Sequence, residues 1–452
     1  MALGIIAALA VFIWMAMRGY SIVLASLVCS TIVIITSGMA FDKAMLEYFP
    51  TGALGAFTFA GRFFLLFAAG AMFGRLLAAT GAANSIANKL VDTLGAERVL
   101  IITVLFSALL TYGGVVLFVV IFTMYPLGVQ LLQQANVPKR LFTGAIALGI
   151  GTFTMTAMPG SPSIHNVISS VSLKTDLFAA AGYGLFSSAI MLSLGLWYLE
   201  KQRHIAKAKG EGFIPSEKDK LILANNKQMA MPSWFRSVIP IAAVVICIVS
   251  PRIISALGVN GIEVVDYANS QPIIWPCMAL LIGIITTIVL FPRILPSSIT
   301  ELGQGAEESI SPLIATSVVI GFGGVVSHTD TFAQFSQWIT TLDVPVLLSV
   351  FIAASSVSAI VGSSSGGLQI FLGTMAPVYL DKGVEPEILH RVAAMASGGF
   401  DSLPHCGAVV AILAITGQTH KSAYKDVGIV TVVFPVIACL ATIAVYWAIN
   451  PF

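Results

Sequence analysis

The chain has 452 residues, 57% of them hydrophobic and only 10% charged, with a formal net charge of +2 and a mean hydropathy of +0.94. Soluble proteins carry roughly 25% charged residues, so this composition excludes a water-soluble enzyme. The balance of 23 basic and 21 acidic residues gives no footprint for nucleic acid, and a polytopic membrane protein remains.

A helix needs about 20 apolar residues to cross roughly 30 Å of hydrocarbon. Runs of that kind occur at Ala2–Met17, Gly19–Phe41, Gly52–Ala82, Leu141–Leu173, Leu177–Leu199, Ser237–Pro251, Tyr267–Pro292, Ser309–Thr329, Leu389–Thr419 and Val427–Phe452. The first has no charged n-region and reads as a retained span, not a signal peptide. Arg62 and Arg75 interrupt the third. The expectation is an all-α polytopic membrane protein with about ten crossings. Cys29, Cys247, Cys277, Cys406 and Cys439 are scattered without a CxxC pair and read as apolar fillers. No metal and no cofactor is expected.

Two further uncharged runs, Val99–Pro138 with 40 residues and Val344–Leu380 with 37, are nearly twice too long for one crossing. Each has a helix-breaking cluster near its middle, Tyr112-Gly113-Gly114 and Gly362-Ser363-Ser364-Ser365-Gly366-Gly367. Each run therefore doubles back, as two spans with a tight turn or as a re-entrant hairpin whose tip stays within the membrane. The re-entrant form is the reading adopted. It requires the serine turn to face protein or a water-filled cavity.

The segment Lys201–Arg236 holds 8 of the 23 basic residues, which places it in the cytoplasm. Counting crossings from there puts both termini outside. The same segment separates two halves, each with five crossings and one doubled-back run in the same order. Five is odd, so the second half enters the membrane in the opposite sense, an inverted repeat typical of secondary transporters. The expected organisation is a first repeat over 1–200 with hairpin 99–138, a cytoplasmic linker over 201–236, and a second repeat over 237–452 with hairpin 344–380. Each hairpin is followed by a proline-containing loop and then a broken helix. The breaks read Gly151-Thr-Phe-Thr-Met-Thr-Ala-Met-Pro159 and Gly398-Gly-Phe-Asp-Ser-Leu-Pro404.

Asp401 is an acid inside the ninth crossing. Intramembrane acids cost several kcal/mol unless paired or hydrated, and they mark ion and substrate paths. The competing reading makes Asp401 a cap for the second half-helix. His405 follows it, and His165-Asn166 occupy the matching region of the first half. An intramembrane His donates to an anion or relays a proton, or else makes a packing hydrogen bond. Thr154, Thr156, Ser161, Ser163, Ser402 and the tip Ser363–Ser365 supply neutral donors that suit a small anion together with free helix-start N–H groups; in the alternative they are merely small residues that let helices pack. No Lys or Arg cluster is read near the breaks. Gly362-Ser-Ser-Ser-Gly366 matches the Gly-x-Ser-x-Gly nucleophile elbow, and an intramembrane Ser–His hydrolase using His405 or His165 is the out-of-class alternative. Glu307 and Glu308 read as residues at a helix start in the interface.

The run Tyr112-Gly-Gly-Val-Val-Leu-Phe-Val-Val-Ile-Phe-Thr-Met-Tyr-Pro126 resembles the first hairpin of the gluconate permease (GntP) family of the ion-transporter superfamily. Ser397-Gly-Gly-Phe-Asp-Ser-Leu-Pro-His-Cys-Gly-Ala408 resembles its D-β-hydroxybutyrate permease-like branch. The resemblance implies proton-coupled symport of a small organic anion at the inner (plasma) membrane. It also implies a homodimer with a static scaffold and a mobile elevator domain. The resulting expectation is a carrier of a small hydroxy-monocarboxylate, most directly 3-hydroxybutyrate. Its site would lie between the tips Gly113-Gly114 and Ser363–Gly367 and the breaks Thr154–Asn166 and Asp401–His405, with Asp401 or His405 handling the proton. Sodium coupling and cation/proton antiport are the alternatives on the same scaffold.

Overall fold

The computed structural model describes residues 2–450 apart from 19, 53, 114, 116, 218, 221–222, 224–231, 258–260, 272 and 405. Among the described residues every regular element is helical. In the first half these are α1 (Ala2–Met17), α2 (Ile22–Ser37), α3 (Ala56–Ala79), α4 (Ala82–Leu94), α5 (Val99–Tyr112), α6 (Leu117–Ala135), α7 (Lys139–Gly151), α8 (Ile164–Leu173) and α9 (Ala181–Ala208). The second half continues with α10 (Trp234–Ala256), α11 (Glu263–Ser270), α12 (Ile274–Leu290), α13 (Leu295–Ser327), α14 (Asp330–Thr340), α15 (Val346–Val361) and α16 (Ser364–Thr374). It ends with α17 (Ala376–Asp381), α18 (Pro386–Phe400), α19 (Gly407–Ile415) and the long α20 (His420–Ile449).

Both doubled-back runs fold as hairpins, α5 with α6 and α15 with α16 and α17; Gly113 ends the first arm of one and Gly362 that of the other. Gly362 closes α15 in the left-handed region at φ +66, which a residue with a Cβ adopts only at a cost. Both expected broken helices are present, α7 with α8 and α18 with α19. Four continuous helices among the described residues are long and apolar enough to cross a bilayer: Ala56–Ala79, Ala181–Ala208, Pro292–Ser327 and His420–Ile449. The other expected crossings fall on α1, α2, α10, α12 and the two broken pairs. The run expected to cross from Tyr267 instead bends by 109° between α11 and α12. Val264 and Tyr267 are left exposed on α11, and the straight helix begins only at Ile274. Gln271, the residue that follows α11, has the non-helical angles φ −115 and ψ 73.

Helix packing follows a repeated plan. α1 packs on α2 as α10 packs on α12, α2 packs on α13 as α12 packs on α3, and α5 packs on α7 as α15 packs on α18. The α3–α13 pair is the most extensive contact and lies where these partners meet. Arg75 crosses it to Glu301 at 2.8 Å and also pairs with Glu308 and Gln304. Glu307 and Glu308 therefore do not mark a helix start. They sit well inside the 33-residue α13, where Glu308 is held by the arginine of the facing helix.

At the end of the molecule carrying the linker, two ion clusters tie the segment after α9 to the helices beneath it. The Asp219 carboxylate is buried and accepts from Lys139 Nζ (2.6 Å), Tyr125 OH (2.5 Å) and Ser216 N–H (2.7 Å). Arg140 donates to Asp426 at 2.6 Å and to Glu211 at 2.9 Å, and Tyr198 OH also donates to Asp426, at 2.8 Å. The guanidinium holds the Glu211 carboxyl below the ordinary glutamate range.

Candidate functional site

The two broken helices cross at their breaks. α7 ends where Thr152 leaves helical geometry at φ −127, ψ −107, and a π turn at Phe153–Ala157 follows. The chain then runs through Pro159-Gly160-Ser161-Pro162 to α8, whose cap is Ser163. Its Oγ accepts the Asn166 N–H at 3.3 Å and donates to Met155 O at 2.7 Å, satisfying a donor that a helix start otherwise leaves open. α18 ends at Phe400, and Asp401 and Ser402 form the turn beyond it. The breaks touch at Gly398, where a Cβ would stand 2.4 Å from Thr156 Cγ2. The second hairpin tip comes to the same place. Ser363 caps α16, its Oγ accepting the Gly366 N–H at 3.3 Å.

Asp401 is 5% exposed. It does not cap α19, whose cap position is Cys406. Its carboxylate accepts the Ser402 hydroxyl at 3.0 Å and interacts with the hydroxyl and backbone N–H of Ser364. Ser364 is the first residue of α16, so the acid sits at the positive end of that helix dipole.

A cavity of about 250 Å³ opens at this junction. One side is formed by Thr111 and Val115 of the first hairpin, by Thr154, Ser163 and His165, by Ser363–Ser365, and by Asp401 and Ser402. The other is a largely apolar wall from α1, α2, α3 and α13, including Phe12, Ile22, Leu66 and Val319, with Thr316 as its one hydroxyl-bearing residue among those described. Asp401 is the one formally charged side chain among the described lining residues. His165 is 1% exposed, and neither ring nitrogen has a hydrogen-bond partner. A buried polar group left without a partner costs free energy, and here it faces a cavity.

The structure thus brings Thr154, Ser163, His165, Ser363, Ser364, Ser365, Asp401 and Ser402 to one cavity. The other expected residues that the structure describes do not line it. Tyr112 bridges hairpin and break by donating to Pro159 O at 3.2 Å; Gly113 ends α5. Thr156 donates to Thr152 O at 3.0 Å within its own turn; Ser161 is buried beside the break. Gly366 and Gly367 lie in the first turn of α16. Gly114 and His405 lie outside the described residues.

Asn166 has a different job. Its Nδ2 donates to Met158 O and Ser161 O at 3.1 and 3.0 Å, and its Oδ1 accepts from Arg391 Nη1 at 2.9 Å and faces His390 Nε2 at 3.3 Å. Arg391 is fully buried and also donates to Ala179 O through Nε (3.2 Å) and Nη2 (2.9 Å). His390 reaches Thr175 Oγ1 at 2.7 Å. A single basic side chain, though not a cluster, stands beside the first break. Arg391 is the third residue of the expected crossing Leu389–Thr419 and carries no expected role there. Its helical spacing to Met395 and Gly398, both on the buried face, was the available signal. Thr111 was missed as well; it donates to Thr154 Oγ1 at 3.0 Å, and nothing in its local sequence sets it apart.

Hairpins and interrupted helices whose freed backbone groups converge on a polar cavity, within an apolar all-helical chain, define a membrane transporter. The sequence matches the GntP family permease over residues 1–447, and the chain belongs to that family. It is 34% identical to "Uncharacterized transporter YxjC" of Bacillus subtilis (strain 168), with 98% of each chain covered. It is 23% identical to the "High-affinity gluconate transporter" of Escherichia coli (strain K12), covering 88% of this chain and 87% of that one. The fold is similar to the crystal structure of the Alcanivorax borkumensis YdaH transporter, described as having an unusual topology. The TM-score is 0.52 at 15% identity, with 98% of both chains covered.

Proposed function

We propose that this transporter is a secondary active carrier of a small hydroxy-monocarboxylate, 3-hydroxybutyrate in the first instance, moved by symport with a proton. The observation that carries the reading is the meeting of Asp401, the serine tip and His165 in one small cavity. Hydroxyls and helix-start N–H groups supply donors for a carboxylate. The apolar wall of Phe12, Ile22, Leu66 and Val319 suits a short carbon chain. It would leave most hydroxyls of a sugar acid such as gluconate without partners, which is costly.

The organisation that fits this role is two inverted repeats, 1–200 and 237–452, joined by the cytoplasmic linker 201–236, with both termini outside. The paired helix contacts described above support it. So do the first arms of the hairpins: α5 with 14 residues and α15 with 16 measure about 21 and 24 Å, short of the roughly 30 Å hydrocarbon thickness. Tips that stay within the membrane, against the cavity, belong to this reading. α1–α3, α10, α12 and α13 form a static scaffold that dimerises in the inner membrane as a homodimer. The hairpins, the broken helices, α9 and α20 move as the elevator. The cavity lies at the seam between the two groups, where a moving body carries its cargo past a fixed wall.

Purified protein in sealed liposomes tests this. Labelled 3-hydroxybutyrate should accumulate on an inward proton gradient and not on a sodium gradient of equal size. Accumulation on sodium alone would replace the coupling ion; cation movement without the acid would make the protein an antiporter and overturn the reading.

A further inference from the structure

Part of the donor set at the start of α16 is already occupied. The hydroxyl and backbone N–H of Ser364 face the Asp401 carboxylate, and the Gly366 N–H is taken by Ser363 Oγ, which stands 3.5 Å from Ser365 Oγ. A guest carboxylate reaching this tip meets another carboxylate on the same donors. No ammonium or guanidinium lines the cavity among the described residues, so two anions there would repel each other unscreened. His165 is buried, faces the same cavity, and has both ring nitrogens unpartnered. That is donor capacity Asp401 does not use.

We propose that the start of α16 serves two carboxylates in turn, that of Asp401 in the empty carrier and that of the substrate in the loaded one, so that the substrate anion enters only as a proton is delivered to Asp401. The inference rests on the carboxylate-carrier reading above and supplies its coupling rule. A proton from water forms an O–H bond on Asp401, and the neutral acid releases the Ser364 donors. The incoming carboxylate takes them, with His165 on its remaining oxygen or hydroxyl. The net charge of the cavity is the same before and after, which is how a site without a cation accommodates an anion. Neither substrate alone nor proton alone completes the exchange, so uncoupled leak is suppressed.

Among the described residues, the titratable groups facing Asp401 are His165 from α8, Cys406 at the head of α19, and Tyr424 from α20, whose hydroxyl donates to Ser402 O at 3.1 Å. Of these only His165 gains positive charge with a proton, and it is the rival acceptor.

Calorimetric titration of the purified protein with 3-hydroxybutyrate, lactate and gluconate, in buffers of different ionisation heat, counts protons taken up per anion bound. Wild-type protein should take up one proton per bound probe, and affinity should fall about tenfold per pH unit above the Asp401 titration. Asp401→Asn should bind with no proton uptake and a flat pH profile, whereas His165→Gln should bind more weakly yet still take up the proton. Binding without proton uptake in the wild type overturns this proposal while leaving the carboxylate carrier standing, and needs no variant to fold. Proton uptake that survives in Asp401→Asn and vanishes in His165→Gln overturns it too. Failure of every probe to bind at any pH removes the carboxylate reading and this inference together.

Discussion

Replacing Arg391 by methionine tests whether its guanidinium holds the first break in shape. The side chain is fully buried and donates to Ala179 O and to Asn166 Oδ1. In Arg391→Met the Ala179 carbonyl loses both donors, and an unsatisfied buried carbonyl costs about 1–3 kcal/mol. Asn166 Oδ1 keeps His390 at 3.3 Å, so its loss is nearer 1 kcal/mol. Methionine fills similar space and removes the desolvation cost of a buried charge, which offsets part of the total. The net expectation is a destabilisation of about 2–3 kcal/mol. Arg391→Lys should be at least as harmful, because an ammonium keeps the desolvation cost but cannot span both acceptors as the planar fork does. Thermal unfolding in detergent reads the order wild type above methionine, with lysine no better. Adding Asn166→Leu to Arg391→Met should cost less than the two changes summed, since they break one network. A methionine variant that unfolds with the wild type, or a lysine variant that restores full stability, would refute the reasoning.

Alanine at all of Ser363, Ser364 and Ser365 should raise the substrate concentration for half-maximal uptake at unchanged expression, each lost bond to a charged group being worth about 1.5–3 kcal/mol; unchanged apparent affinity would remove the tip from the site. Gly367→Ala places a Cβ 2.4 Å from Ser358 Cα, which is backbone and cannot rotate away, so the hairpin should lose about 1–3 kcal/mol or more. Gly303→Ala, with nothing within 4 Å, is the control and should leave the unfolding midpoint unchanged or raised. Arg140→Gln strips the 2%-exposed Asp426 of its cation and should cost about 3–5 kcal/mol in unfolding experiments near neutral pH. Cysteine at Lys209 should label only from the cytoplasmic side and cysteine at Lys382 only from outside; labelling from the reverse sides would invert the topology.

The parts of the fold legible in the sequence were those written in local chemistry. Uncharged runs too long for one crossing gave the hairpins, Gly362 gave the turn that needs a left-handed residue, and Gly-x-Phe followed by proline gave the two breaks. The acid at 401 announced itself because charge is rare at such a position. What the sequence did not carry was pairing across the chain. Asn166 has the composition of a ligand residue, yet its four contacts are all internal. Arg391 carried no local sign of its role because its partners, Ala179 and Asn166, lie more than 200 positions away. Lys139 and Arg140 open α7 as ordinary flanking charges, yet both are held by acids of the linker and of α20. The apolar half of the cavity was invisible for the opposite reason: Phe12, Ile22 and Val319 look like any other membrane residues until the wall is assembled.

The central claim is that Asp401 couples an organic anion to a proton, and paired transport assays of Asp401→Asn in sealed liposomes test it most directly. Exchange of labelled for unlabelled 3-hydroxybutyrate needs only the loaded carrier to move, whereas accumulation on a pH gradient needs the proton to cycle. The account predicts that the variant keeps measurable exchange and loses all concentrative, pH-driven uptake. A variant that still concentrates the acid on a pH gradient would contradict it and make Asp401 a structural residue.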